Sequence, residues 1–199
     1  MVADKYTIQA ETLMKAAIED YVEILNEVKA SDANLTTIKG IRINIQGKPR
    51  RLVDVGDIKK TENENVLQIL VFNTDHISLL TEKIDEIPFN YEIDGQFINM
   101  DLPDPSYKQL MEVVDDINRK KNSAMARLTK SKSEATTRAR TALENEFITQ
   151  RVSTAVSRKC SEMHEEFASK IDSLTLEKIK EILGSEFFEK YKTEELDFE

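Results

Sequence analysis

The sequence predicts an α+β protein in which an elongated three-helix bundle carries a small inserted α+β module of β/α/β character. Three observations lead there. Gly and Pro crowd the middle of the chain, at Gly40, Gly47, Pro49, Gly56, Pro88, Gly95, Pro103 and Pro105, and only Gly184 lies elsewhere. Both residues interrupt helices and make turns, so the chain reads as helix, irregular middle, helix. The middle shows the two-residue alternation of strands, and the flanks show three- and four-residue apolar spacing.

In chain order, Leu13, Ala17, Tyr21, Ile24, Leu25 and Val28 recur at helical spacing and predict one amphipathic helix over residues 8–30. Ile41-Arg42-Ile43-Asn44-Ile45 alternates as a strand, and Val66 to Phe72 reads as a strand of the fully buried kind. Between them, Gly47-Lys48-Pro49-Arg50-Arg51 makes a basic turn at a tip, either an ordinary solvated hairpin or a contact surface. A helix is expected over 74–87, with Ile77, Leu80 and Ile84 on one face. Tyr91 to Ile93 and Gln96 to Met100 then form two strands around an Asp94-Gly95 turn.

After Pro103 and Pro105, Ser106-Tyr107-Lys108-Gln109 has the form of a capping box and starts a helix. No Gly or Pro follows until Gly184, a stretch too long for one globular helix. Two antiparallel helices are expected, the second capped by Thr149 and stopped at Gly184. With the first helix they form a bundle. The domains are then residues 1–31 with 105–199 for the bundle and 35–103 for the insert.

The 199 residues carry a net charge of -9. From Arg119 to Arg140, however, eight basic residues face one acid, Glu134, so this segment holds +7 and the remainder holds -16. On a helical wheel Arg119, Lys120, Arg127, Lys130 and Arg138 fall within about 100° of one another. Leu110, Val114, Ile117, Ala124, Met125, Leu128, Ala135, Ala139, Ala142 and Leu143 occupy the bundle side, where Lys121 and Lys132 would have to snorkel. Such a stripe is either a solvated face or a footprint for a polyanion; the near absence of interleaved acids favours the second.

Little points to catalysis. Cys160 is the only cysteine, which excludes an internal disulfide, and it lacks a neighbouring catalytic pattern, although Arg158 and Lys159 are positioned to lower its pKa. His76 and His164 have no partner spacing and read as satisfied histidines, and Asp94, Asp101 and Asp104 lack calcium-loop spacing. There is no phosphate-binding glycine motif. No catalytic residue, metal or cofactor is expected, and no enzyme. No run approaches the ~18 apolar residues of a membrane span, so no membrane partner is expected. The opening residues resemble neither a secretory signal nor a transit peptide, so either the chain works where it is made or a leader was removed.

The order of these pieces resembles the ribosome recycling factor family. Residues 14–34 resemble the family's first helix and its I-R-T-G-R-A-N string at Val28, Lys29, Ala33 and Asn34. Gly47, Leu52, Val55 and Ile58 follow its Y-Y-G and T-P-L pattern, Asn65 to Phe72 before Asp75 its strand, and Glu82-Lys83-Ile84 its E-K-A-I. Asp94-Gly95 and Ile98 to Pro103 resemble its D-G-x-x-I-R-x-x-x-P. Departures are Lys29 and Asp32 in place of two arginines, Asp104-Pro105-Ser106-Tyr107 in place of T-E-E-R-R, and Ala126 to Lys132 in place of V-R-N-I-R-R-D. They resemble a mitochondrial or otherwise divergent member of the family.

The resemblance implies an L-shaped two-domain arrangement with hinges at about 31–37 and 102–106, including Asp32, Asn34, Pro103 and Pro105. It implies a monomer that binds the post-termination ribosome through large-subunit rRNA and, with an elongation factor G type GTPase, separates the subunits after translation termination. The rRNA contacts would fall on Arg119, Lys120, Arg127, Lys130 and Arg138, with Lys132 and Lys29 as further candidates. The compartment would be the mitochondrial matrix or, alternatively, the bacterial cytoplasm. A different class stays open: a helical adaptor whose basic face docks an acidic protein.

Overall fold

The computed structural model describes residues 2–61, 63 and 65–196. The fold divides into two compact units, residues 1–28 with 114–199 and residues 29–113.

The first unit is built from α1 (Asp4–Glu27), most of α5 (Tyr107–Glu144) and α6 (Gln150–Leu196). Side-chain pairs fix their directions. Asp4 meets Lys159 at 3.0 Å and Tyr21 meets Thr175 at 2.6 Å, so α1 and α6 run parallel. Asp20 pairs with Arg127 and Gln9 with Arg138, while Lys121 pairs with Asp172 and Thr129 with His164, so α5 runs antiparallel to both.

The buried positions explain the packing. In the part of α5 within this unit they are Val114, Ile117, Ala124, Leu128, Ser131, Ala135, Ala139 and Ala142; from Ala124 onward they lie three or four residues apart and are mostly small, which lets the helices approach closely. Met125 and Leu143, expected in this core, are only half-buried. In α1 the buried positions are Thr7, Ala10, Met14, Ala17, Ile18, Tyr21 and Leu25. Leu13 and Ile24, also expected in the core, are instead 41% and 37% exposed. At about 100° per residue the buried positions centre about 95° from Leu13 and about 75° from Ile24, because small or polar residues such as Thr7, Ala10 and Ala17 share the core face and shift it away from these two. Thr149 precedes α6 as expected, its carbonyl accepting from Val152 N–H at 3.0 Å. Gly184 interrupts α6 without ending it: φ is 67° and ψ 173° there, and helix resumes to Leu196.

The second unit holds α2 (Asp32–Lys39), the hairpin β1 (Arg42–Ile45) and β2 (Lys48–Arg51), α3 (Leu52–Val55), β3 (Gly56–Lys60), β4 (Val66–Val71), a 3-10 turn (Thr74–His76), α4 (Ile77–Ile84), β5 (Asn90–Asp94) and β6 (Phe97–Asp101). The helix expected over 74–87 is thus shorter, with Leu80 and Ile84 fully buried. Sequence reading did not anticipate α2, α3, β2 or β3. Lys48 to Arg51 forms an exposed strand, not a turn, because the turn lies one step earlier, where Gln46 and Gly47 both have positive φ, as a two-residue hairpin turn requires.

Strands β3 to β6 form an antiparallel sheet in the order β3-β4-β6-β5. One face is covered: Leu67, Ile69, Val71, Ile98 and Met100 bury against Ile38, Ile43, Leu52, Leu80 and Ile84. The run from Val66 is therefore not fully buried, since only alternate residues are inside, and Phe72 beyond its end is 60% exposed.

Candidate nucleic-acid interface

The candidate surface begins with the register of α5. Arg119 and Lys130 are eleven residues apart, as are Arg127 and Arg138, and eleven residues make three turns plus about 20°, or about 16 Å of rise. Two short columns of cations result. The outward column holds Arg119, whose Nε reaches Asp115 O at 3.4 Å, and Lys130, whose side chain is 77% exposed with Glu134 4.0 Å away.

The second column lies along α1. Arg127 Nη2 meets Asp20 Oδ2 at 2.7 Å, and Arg138 Nη1 donates to Gln9 Oε1. Asp20 and Gln9 are themselves eleven residues apart, so α1 presents two acceptors at the repeat that α5 presents two guanidinium groups. Lys120 joins this side, paired with Asp116 at 2.7 Å. The expectation of few carboxylates among these cations is therefore corrected: within α5 acids are scarce, but a neighbouring helix supplies Asp20, and a turn earlier α5 supplies Asp116. A linear sequence shows only the acids on the same helix.

Lys121 and Lys132 follow their expected snorkelling differently. Lys121 reaches over the bundle edge to Asp172 at 2.6 Å. Lys132 is half-buried near Cys160 and His164, where its charge disfavours protonation of the imidazole. It faces α6, away from the two columns. Burial in first place, then Lys132, lowers the pKa of His164, whose Nε2 lies 3.1 Å from Thr129 Oγ1. Cys160 is buried, and burial raises its thiol pKa against the pull of Lys132 and Lys159. His76, read as satisfied, has a buried Nδ1 without a hydrogen-bond partner among the described residues. No metal-binding cluster of His, Cys, Asp or Glu occurs among the described residues.

The Arg127–Asp20 pair is solvent-exposed, with 48% and 55% side-chain exposure. Exposed ion pairs are worth at most about 1 kcal/mol, so phosphate oxygens can replace the carboxylates at small cost. Residues from Arg119 to Arg140 include no aromatic group, which suits contact with phosphates and not stacking on bases.

The remaining candidates lie in the second unit. Asn34 is buried within α2, and its Nδ2 donates to Pro103 O at 2.8 Å, so two of the expected hinge residues touch. Asp32 accepts from the Lys29 N–H at 2.9 Å and pairs with Lys60. The first expected hinge segment is thus largely helical. Pro105 precedes Ser106, whose N–H donates to Gln109 Oε1 at 2.9 Å while Gln109 N–H reaches Ser106 Oγ at 3.4 Å, the expected reciprocal cap.

Comparisons with known proteins bear on the family and the fold. The chain is 20% identical over 174 residues to the ribosome-recycling factor of Chlamydia caviae, covering 86% of this chain and 94% of that protein. It is 18% identical over 178 residues to the ribosome-recycling factor of Bdellovibrio bacteriovorus, covering 87% and 94%. A solution structure of the ribosome recycling factor has the same fold, with a TM-score of 0.52 at 20% identity over 93% of this chain and 99% of that one. The family model for the ribosome recycling factor matches residues 22–183, most of the chain, and the chain belongs to that family.

Proposed function

We propose that this protein recycles ribosomes by binding the post-termination ribosome through large-subunit rRNA along α5, with Arg119, Lys120, Arg127, Lys130 and Arg138 on phosphates. The observation that carries the reading is the +7 segment on an exposed flank of a rigid bundle in a chain whose remainder holds -16. Neutralised phosphates supply affinity, and the acidic remainder disfavours indiscriminate RNA binding. Lys132 lies off this surface, and Lys29 belongs to the other unit beside Asp32, so neither is central to it. The chain acts as a monomer without catalysis of its own. Energy for splitting the subunits comes from a GTPase of the elongation factor G type, with the smaller unit moving as that factor acts. The compartment is wherever bacterial-type ribosomes work, the bacterial cytoplasm or the mitochondrial matrix.

The test is subunit splitting of post-termination ribosomes with the chain, the cognate GTPase and GTP. Arg127→Glu with Lys130→Glu is expected to abolish cosedimentation with the large subunit at unchanged helicity. Five phosphate contacts predict a slope of log K against log salt of about -4. Undiminished binding by the reversed variant removes α5 as the docking surface, and binding to an acidic protein without ribosomes would favour an adaptor.

A further inference from the structure

The uncovered face of the four-stranded sheet has an order that the RNA-binding role leaves unused. Strand register sets it out in rows. Asp57, Leu70, Phe97 and Asp94 lie side by side across β3, β4, β6 and β5. The next row is Lys59, Gln68, Asn99 and Glu92, with Gln68 Nε2 bonded to Asn99 Oδ1 at 3.0 Å, and Val66, Asp101 and Asn90 follow. Leu70 and Phe97 are half-buried, while Asp57, Glu92, Asp94 and Asp101 are exposed.

Open faces of antiparallel sheets are ordinarily polar in the centre. This one has its apolar groups on the two central strands and its carboxylates mainly on the edges, four acids against one lysine. The acids repel phosphate, so Phe97 is not a stacking platform for RNA. A cationic segment matches instead: aliphatic stems of Lys or Arg cover Leu70 and Phe97, a guanidinium stacks on the ring, and charged heads reach Asp57 and Asp94, about 14 Å apart across three strand spacings. We propose that this sheet face docks a lysine- and arginine-rich segment of another protein, around Leu70 and Phe97 and between Asp57 and Asp94.

The surface is distinct from α5, so its failure and that of the RNA-binding role are separable. The full chain, labelled with 15N, is titrated with a short peptide in which Lys and Arg alternate with Leu, and in parallel with an RNA hairpin. The expected result is peptide-induced shifts centred on Asp57, Leu70, Asp94 and Phe97. By fluorescence anisotropy, Asp57→Asn with Asp94→Asn should weaken the peptide by about three- to tenfold, as two exposed charge contacts allow. Leu70→Ser with Phe97→Thr should weaken it further, whereas Glu19→Gln with Glu23→Gln on α1 should have no effect. Shifts spread over all acidic surfaces, equal loss in the α1 variant, or RNA shifting the sheet face would each overturn the assignment. Because the titration uses the unmodified chain, it decides the matter even if a variant folds poorly.

Discussion

Asp20 of α1 and Arg127 of α5, 107 positions apart in sequence, meet at 2.7 Å on the surface of the bundle. The carboxylate both aims the guanidinium and competes with any phosphate for it. Asp20→Asn keeps an acceptor for aim and removes the competing charge. The expected outcome is RNA and large-subunit affinity raised about two- to fivefold, the worth of one exposed pair, with stability nearly unchanged. Filter binding at several salt concentrations checks it, and unaltered affinity would mean that Arg127 does not touch phosphate.

Tyr21 and Thr175 form the buried polar contact between the parallel helices α1 and α6. Thr175 Oγ1 donates to Ile171 O at 2.7 Å, which uses its one proton, so Tyr21 O–H must donate to Thr175. Tyr21→Phe deletes a donor while Thr175 keeps its backbone bond, at a cost of about 1 kcal/mol and a Tm lower by roughly 2–5 °C. A double-mutant cycle with Thr175→Val should show coupling. Strict additivity would mean that the hydroxyls do not interact in solution.

How much of this was legible in the sequence depended on range. The Ser106–Gln109 cap and the apolar seam of α5 were readable because their partners lie three or four residues apart. Leu13 and Ile24 lie at the margin of the buried face because that face is centred on Thr7, Ala10, Met14 and Tyr21, two of them small or polar, and a count of large apolar residues alone sets its centre too far round. Helix α2 has eight residues: Ser31 and Asp32 at its start and Lys39 and Gly40 at its end are boundary signals, but two turns carry too little apolar periodicity to distinguish a helix from a turn. Asp20 and Gln9 carried one usable sign, an eleven-residue spacing matching that of Arg127 and Arg138, but only the antiparallel register gives it meaning. Likewise the carboxylate rim of the sheet exists only once four strands are paired.

The lowered pKa of His164 makes a pH-dependent stability. Its folded-state pKa is below the ordinary 6.5, so the unfolded chain takes up the proton first as pH falls. The stability from the neutral ring is complete above about pH 6.5 and is lost as pH drops through the folded pKa. Urea midpoints measured from pH 8 downward should fall below pH 6.5, and His164→Gln should flatten that limb. An unchanged slope in the variant would assign the decline to other groups.

Gly184 tests whether backbone conformation alone dictates a residue. A Cβ there would meet no atom within 4 Å, so space is not limiting, yet φ is 67° with extended ψ. An L-residue in this region costs about 1–3 kcal/mol. If the backbone instead relaxed to continuous helix, Phe188 and Tyr191, both buried beyond the break, would be aimed differently. Gly184→Ala should therefore lower the Tm by several degrees, whichever route the chain takes. D-alanine, introduced by semisynthesis, accepts the positive φ and restricts the unfolded chain, so it should leave the Tm equal to or above that of the glycine protein. Equal losses from both alanines would show that the missing Cβ matters for its volume and not for the backbone angle.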